Sequence, residues 1–546
     1  MFSTWASGSA AAGGTARGTR GPWNATAGCG RVVKLLLASL ALGAWAADPG
    51  VVSGQEADSV PAAYPPDAPY ASAFVPPDHW AERAVRRLEV LGLAGPGFSW
   101  NRGTLTQGSV ARILRDAERT AQESAPQWLP LIRGYAARFA EEFPAAVRAA
   151  AGREAPGARL ADARLALGLE RRTGEVLAGA GYFNDHDWSG PRTRPDQAGL
   201  AAVGSWSGEL FPFVSVTATP SVRYGDWSLE AGYALAAWRD VAVWAGRRAL
   251  GYGPGVGGGI VLNGAVQFDG GGVLLIDPVT LPGLLGVLGP IRFDTFVSRM
   301  DRNGEILNPW VWAARTSIAP HPRLGIGLSR AAVFGGAGNA TPTLRNLVYV
   351  IIGKHGGKGS EFDNHVVAVD VRYRPPLADL PLALYLEWGF EDSAGAWRDV
   401  PGTLFGVELA ALPGLPQVGF GLERASFAPS CCGNPIWYRH WHFLDGWTES
   451  GAPLGHPLGG HGTEWLGYGY ADLLDARLRL TGRAFVRNRE AENLFAPDRA
   501  GRSTGGSFQA AFRAAPRIDV LFGAELESGE NDWTESRLGV GVRGTF

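Results

Sequence analysis

Cysteine is nearly absent: Cys29, Cys431 and Cys432 are the only three in 546 residues. Cys29 precedes the apolar core of an N-terminal leader and is expected to leave with it, and the two that remain cannot staple a body of this size. As sequence neighbours, Cys431 and Cys432 have poor geometry for a disulfide, so a strained vicinal bridge and two free thiols both stay open. Lysine is equally scarce, with Lys34, Lys354 and Lys358 standing among 50 basic residues that are otherwise Arg. A GC-rich genome accounts for that bias, as does a use of planar guanidinium groups for anion binding. Beyond the leader there is no apolar run of about 18 residues, the length of a membrane-spanning helix. The best stretch, 273–291, is broken by Asp277, Pro278, Pro282 and Pro290, which excludes a helical membrane protein. Excess charge is missing too: the net value is −2 and the pI about 6.5, so no global positive field argues for nucleic acid.

What is present divides the chain into four parts. Basic residues up to Arg31 and Lys34, an apolar run over 35–42 and the small-x-small site Ala44-Trp45-Ala46 read as a signal peptide spanning 1–46. Residues 47–77, rich in Pro, Ala and Asp without an apolar period, read as a flexible linker. From Asp78 the period is helical: Trp80, Ala84, Leu88 and Leu91 share a face, Gly92 caps, and Val110, Ala111, Leu114 and Ala117 repeat the pattern. With a third helix over 128–143, these make a small helical module at 78–150. Its segments Asp78-His79-Trp80, Leu91-Gly92-Leu93 and Thr106-Gln107-Gly108-Ser109 resemble one S-layer-homology repeat. The resemblance implies contact with peptidoglycan or other periplasmic components; a packing or docking module is the plainer alternative.

From 158 to 546 the period becomes two. Leu382, Leu384, Leu386, Trp388 and Phe390 alternate with Ala383, Tyr385, Glu387, Gly389 and Glu391, and similar segments of about ten residues recur between Gly, Pro, Asn and Asp turns. Leu538, Val540, Val542 and the final Phe546 share one face, similar to the last strand of outer-membrane barrels. Twenty Trp with Tyr and Phe at strand ends fit aromatic girdles. Roughly 385 residues, at about 20 for each strand and connection, give on the order of 16 to 20 strands, and in lipid such a sheet must close. The fold class expected is an all-β transmembrane barrel of about 18 antiparallel strands with a small N-terminal α-helical periplasmic module.

Chemistry concentrates in one connection, 431–465, which holds four of the nine histidines. Aromatic rings alternating with imidazole suit sugar recognition, because pyranose CH faces stack on rings while hydroxyls need donors and acceptors at the rim. The candidate contacts are Trp437, Tyr438, Arg439, His440, Trp441, His442, His456 and His461; a packed plug without ligand is the competing reading. The His spacing matches no familiar zinc site, and no metal or cofactor is expected. Arg477, Arg479, Arg483, Arg487 and Arg489 form a ladder on one strand face, with Arg483 and Arg487 as further candidate contacts for acidic sugars. Alternatively the ladder pairs with lumen carboxylates such as Glu387, Glu408, Glu423, Glu525 and Glu527. Gly253-x-Gly255-x-x-Gly258 lacks the strand-loop-helix setting of a dinucleotide site, and Gly501–Gly505 lacks that of a nucleophile elbow. No paired acid and base supports an enzyme.

Gly246-Arg247 followed by Gly251-Tyr252-Gly253-Pro254-Gly255, then Asn263-Gly264-Ala265, and Trp437-Tyr438-Arg439-His440 followed by Gly455-His456-Pro457-Leu458-Gly459-Gly460, resemble the Wzi capsule-assembly family of outer-membrane barrels. The resemblance covers the barrel and implies an 18-stranded, non-catalytic, lectin-like protein that retains capsular polysaccharide or another exopolysaccharide. Its partners would be that polymer and outer-membrane lipid, and a monomer is expected. A pore for sugars or other small solutes is the alternative.

Overall fold

Polar and apolar residues alternating over ten positions leave a strand with one face for lipid, one for an interior, and backbone groups that only neighbouring strands can satisfy. In the computed structural model, residues 71–546 are described except 77–78, 96–100, 153–157, 175–196, 212, 224–225, 340–342, 353–362, 378–379, 392–400, 428–436 and 450. The leader, most of the expected linker, and Cys431 and Cys432 lie outside the described residues.

Eighteen long strands follow one another. They are β1 (Arg159–Thr173), β2 (Gln197–Phe211), β3 (Val214–Arg223), β4 (Asp226–Trp238), β5 (Val241–Tyr252), β6 (Leu262–Leu275), β7 (Pro290–Arg299), β8 (Trp310–His321) and β9 (Leu324–Phe334), then β10 (Asp363–Tyr373), β11 (Leu382–Glu391), β12 (Gly402–Leu409), β13 (Val418–Phe427), β14 (Gly462–Leu473), β15 (Leu478–Arg489), β16 (Gly501–Ala515), β17 (Ile518–Gly529) and β18 (Thr534–Thr545). Each pairs antiparallel with its successor, and β18 returns to β1, with Arg164 opposite Thr545 and Thr173 opposite Ser536, so the barrel closes. The wall obeys the alternation: on β11, Leu386 and Trp388 are exposed while Ala383, Tyr385, Glu387 and Glu391 are buried. Leu169, Trp227 and Val540 likewise present bare apolar side chains outward, the surface a lipid-facing band requires. Connections 239–240, 322–323, 474–477 and 516–517 are short and share one end; 253–261 and 428–461 belong to the other.

Four helices, α1 (Trp80–Leu91), α2 (Gln107–Ser124), α3 (Leu129–Glu142) and α4 (Pro144–Ala150), precede the barrel. The α1 helix starts where His79 accepts the Ala81 N–H and stops at Gly92, whose left-handed backbone (φ 80°) closes it. Leu88, Val110, Leu114, Tyr135, Phe139 and Phe143 form the helical core. The module docks on the short-turn end. Arg87 donates to the carbonyls of Ala410 (2.8 Å) and Pro416 (2.5 Å) and pairs with Asp472 (2.9 Å). Arg138 donates to the Ala476 carbonyl (2.8 Å), and Arg513 pairs with Glu142 (2.7 Å). Because the inner wall of such a barrel is polar, the plug is held by charge and hydrogen bonds more than by apolar contact. The Thr106–Ser109 segment that carries the S-layer resemblance is buried: the Gln107 amide donates to Asp162 (3.1 Å) and the Gly108 N–H to Ser72 (2.8 Å). It faces the barrel rather than an open surface.

The last five residues of β5, Arg248–Tyr252, are buried on both faces, as are the first five of β6. This hairpin tip therefore leaves the wall and enters the lumen. There it meets the module: Arg86 reaches Glu408 (2.7 Å) and the Pro254 carbonyl (2.6 Å), and Arg102 donates to the carbonyls of Gly255 (2.9 Å) and Val256 (2.7 Å). A two-residue strand, Asn101–Arg102, pairs with Gly251 and Tyr252. Lumen fillings from the two ends thus touch.

Candidate functional site

The described part of the connection between β13 and β14, residues 437–461, also turns inward. Trp437, Tyr438, Phe443, Trp447, Leu454 and Leu458 join inward-facing wall residues in one core. The Trp437 ring lies 5.0 Å from that of Phe427, in a niche where a Cβ on Gly402 would approach it to 2.8 Å. Tyr438 holds a left-handed backbone (φ 65°), a conformation that persists only when surroundings fix it. They do: its N–H donates to Glu391 (2.6 Å), its hydroxyl donates to the Ile260 carbonyl (2.5 Å), and that hydroxyl accepts the His456 N–H (3.0 Å). Burial holds the phenol well above the ordinary 10, so the hydroxyl remains a donor. The Trp447 indole N–H donates to the Val261 carbonyl (2.9 Å). Wall carboxylates take the hairpin's amides in turn, Glu423 accepting from Val256 (2.7 Å) and Gly257 (2.9 Å) and Glu387 from Ile260 (3.1 Å).

Three buried asparagines act as clasps, and sequence reasoning gave none of them this role. Asn263 donates to the carbonyls of Pro453 (2.8 Å) and Gly455 (2.7 Å) while accepting the Ala265 N–H (2.7 Å). Asn303 donates to the Gly446 carbonyl (2.7 Å) and accepts from Asp445 (3.1 Å). Asn493 donates to Leu458 (2.9 Å), Gly460 (3.0 Å) and His461 (3.2 Å). An amide that both donates and accepts can hold loop backbone that has no sheet partner. Only Asn263 lay in a motif; a lone Asn elsewhere has no periodic signal.

The expected contact residues therefore separate. Trp437, Tyr438, His456 and His461 are buried, at 0–3% exposure, and burial removes them from any ligand arriving from solvent: they build the plug. Burial also lowers the His456 pKa to about 4, despite Glu464 at 3.8 Å, so its ring is neutral at pH 7. Arg439, His440, Trp441 and His442 form the outward face. Trp441 is 67% exposed, with the rings of His440 and His442 at 5.7 and 5.3 Å. His440 accepts the backbone N–H groups of His442 (3.2 Å) and Phe443 (3.1 Å), which fixes the turn. His442 bonds Asn339 (2.9 Å), tying in a second loop, and desolvation lowers its pKa. Arg439 anchors the base through the carbonyls of Glu492 (3.1 Å) and Asn493 (2.7 Å). Among the described residues no three His, Cys, Asp or Glu side chains converge on a metal position.

Two arginines of the ladder, Arg487 and Arg489, act as a pairing device. Arg487 is buried between Glu464 and Glu527 (2.9 Å to the latter), and Arg489 shares Glu527 (3.0 Å) and Ser503 (3.2 Å). A guanidinium held by two carboxylates is not a free sugar contact, which corrects the expectation for Arg487. Arg483 is half-buried and lines an internal cavity beside α1 with Arg83 and Arg86.

Wzi of Escherichia coli, described as an outer-membrane protein involved in group 1 capsule assembly and a carbohydrate-binding β-barrel, is similar in structure, with a TM-score of 0.66 and 16% identity over 86% of this chain and 99% of that one. More distant are OpdQ of Pseudomonas aeruginosa (TM-score 0.42, 9% identity, 71% and 97% covered) and OpdL of the same organism (TM-score 0.42, 11% identity, 70% and 98%). No curated protein sequence matches. The family described as capsule assembly protein Wzi matches residues 180–539, a span holding sixteen whole barrel strands, the first half of β18 and the inward connection. The chain is an outer-membrane β-barrel and belongs to the Wzi capsule assembly family.

Proposed function

We propose that this barrel binds and retains capsular or another exported polysaccharide at the cell surface without catalysing a reaction, and that the outward face of the inward-folded connection makes the contact. The observation that carries this reading is Trp441: a large ring left 67% exposed on a loop otherwise pinned at every turn, between two imidazoles. An indole offers a stacking plane for a pyranose, and the imidazoles offer rim donors and acceptors. A rigid platform also binds with less ordering cost than a mobile one. The long loops would face outside and the helical module the periplasm, following the usual orientation of outer-membrane barrels. The lipid-facing band closes on itself, in keeping with a monomer. The buried Thr106–Ser109 segment argues that the module plugs the barrel rather than gripping a wall polymer. Binding of purified polysaccharide to the detergent-solubilised protein tests the reading. Trp441→Ala is expected to weaken it at least about tenfold, the scale of a stacked base or sugar ring, whereas unchanged affinity would refute the proposed contact.

A further inference from the structure

Between α1 and the wall strands β15 to β18 and β1 lies a cavity of about 80 Å³, against roughly 10–15 Å³ needed for one water. Four guanidinium groups line it, Arg83, Arg479, Arg537 and Arg543, against two carboxylates, Glu170 and Glu525, a lining charge of +2. Three acids beside the cavity are already engaged, and the lining Glu525 stands 4.0 Å from Arg537. Glu142 accepts from His79 (2.8 Å), Trp80 (3.1 Å), Arg138 (3.0 Å) and Arg513 (2.7 Å). Asp519 serves Arg138 (3.1 Å), Arg513 (3.0 Å) and Arg543 (2.8 Å). Asp472, directly across the ladder from Arg479, takes Arg87 (2.9 Å) and Tyr135 (2.5 Å) instead. Arg537 is held by Glu170.

Arg479 is left over. Its Nε and Nη1 atoms are buried and make no hydrogen bond to any described residue; Arg83, Arg138 and Arg543 repel it, while Glu142 attracts it. Its one resolved contact is the Trp80 ring at 5.4 Å. Arg83 likewise has no ion pair among the described residues. Two buried guanidinium nitrogens left without hydrogen bonds are costly, so this arrangement is poised for an anion that supplies both charge and acceptors. Thr481 donates to the Gln509 carbonyl (3.3 Å), which leaves the Gln509 amide N–H groups as neutral donors on the same wall.

We propose that the cavity is a binding site for a phosphate-class oxyanion, held by Arg479 from β15 and Arg83 from α1 and joining the helical module to the barrel wall. A tetrahedral oxyanion matches two guanidinium forks. The polysaccharide reading does not depend on it. The test is isothermal titration of the full-length protein in detergent, at fixed ionic strength, with inorganic phosphate and with glycerol phosphate. Saturable binding of one ion per chain is expected; a preference for the free ion assigns the site to phosphate itself, a preference for the ester assigns it to a phosphoryl group on a larger molecule, and either supports the site. Arg479→Gln and Arg83→Gln should each weaken binding at least about tenfold, the loss of charge-assisted hydrogen bonds, while Arg502→Gln on the exposed side of β16 should not. Because Arg83 is a half-buried helix residue, its variant is expected to fold, which gel mobility of the unheated barrel confirms. Absence of saturable binding, or equal affinity in Arg83→Gln, would overturn the proposal.

Discussion

His456 sits in the plug with its ring 5.7 Å from that of Phe427, and burial holds its pKa at about 4 against an ordinary 6.5. Between those values an unfolded histidine takes up a proton that the folded one refuses. The packing free energy of the loop is therefore full above pH 6.5, falls as pH drops toward 4, and changes no further from this group below that, a loss of about 3 kcal/mol at most. His79, capping α1 with a pKa also lowered to about 4 by burial, adds a loss of the same sign. Hydrogen exchange of the 437–461 amides, corrected for intrinsic rates, is expected to quicken from pH 7 to 4.5; His456→Gln should flatten that dependence. Asn493→Ala removes donors from three carbonyls at once and should cost about 1–3 kcal/mol per unsatisfied group, read as faster exchange around Leu458 to His461 at constant pH. At this scale the sequence was partly legible. Large rings in a Gly- and Pro-rich connection, Trp437 and Tyr438 among them, announced that something must cover them. Which side would cover them was not written locally, because Tyr438 is fixed by Glu391 and Ile260, 47 and 178 residues away.

Strands and helices carried their own signals. The alternation in β11 is a property of ten consecutive residues, and helix α1 begins at the Trp80 that its apolar spacing marked and stops at Gly92. What periodicity leaves out is how one element seats on another. The inward bend of β5 and β6 depends on Glu387 and Glu423 of distant strands, and the docking of α1 on ion pairs such as Arg86 with Glu408, separated by 322 residues. Arg87 shows how concentrated that docking is, since one guanidinium serves Ala410, Pro416, Tyr135 and Asp472. Arg87→Ala removes a buried guanidinium and its four bonds, leaves the half-buried Asp472 with Tyr135 alone, and is expected to cost about 1–3 kcal/mol. The measurable outcome is loss of exchange protection in α1 and α3 while barrel strands stay protected; uniform loss across β1 to β18 would show instead that the helices and wall unfold together.

The described residues form a wall with fillings from both ends that meet at Arg86, Arg102 and the 254–256 carbonyls. Such a lumen should pass negligible current in a planar bilayer, and steady large single-channel currents would favour a solute pore instead. Removing residues 439–459 alone is expected to leave conductance low, because the helical module still occupies the short-turn end. The proposed retention of polymer then falls to the outer face, where Trp441, His440 and His442 stand. The most direct measurement is the amount of polysaccharide held on cells that lack the native protein and carry the triple variant His440→Ala, Trp441→Ala, His442→Ala, with equal barrel abundance in the outer membrane. Loss of cell-bound polymer into the medium is the predicted result; retention equal to that with the unaltered protein would contradict the account.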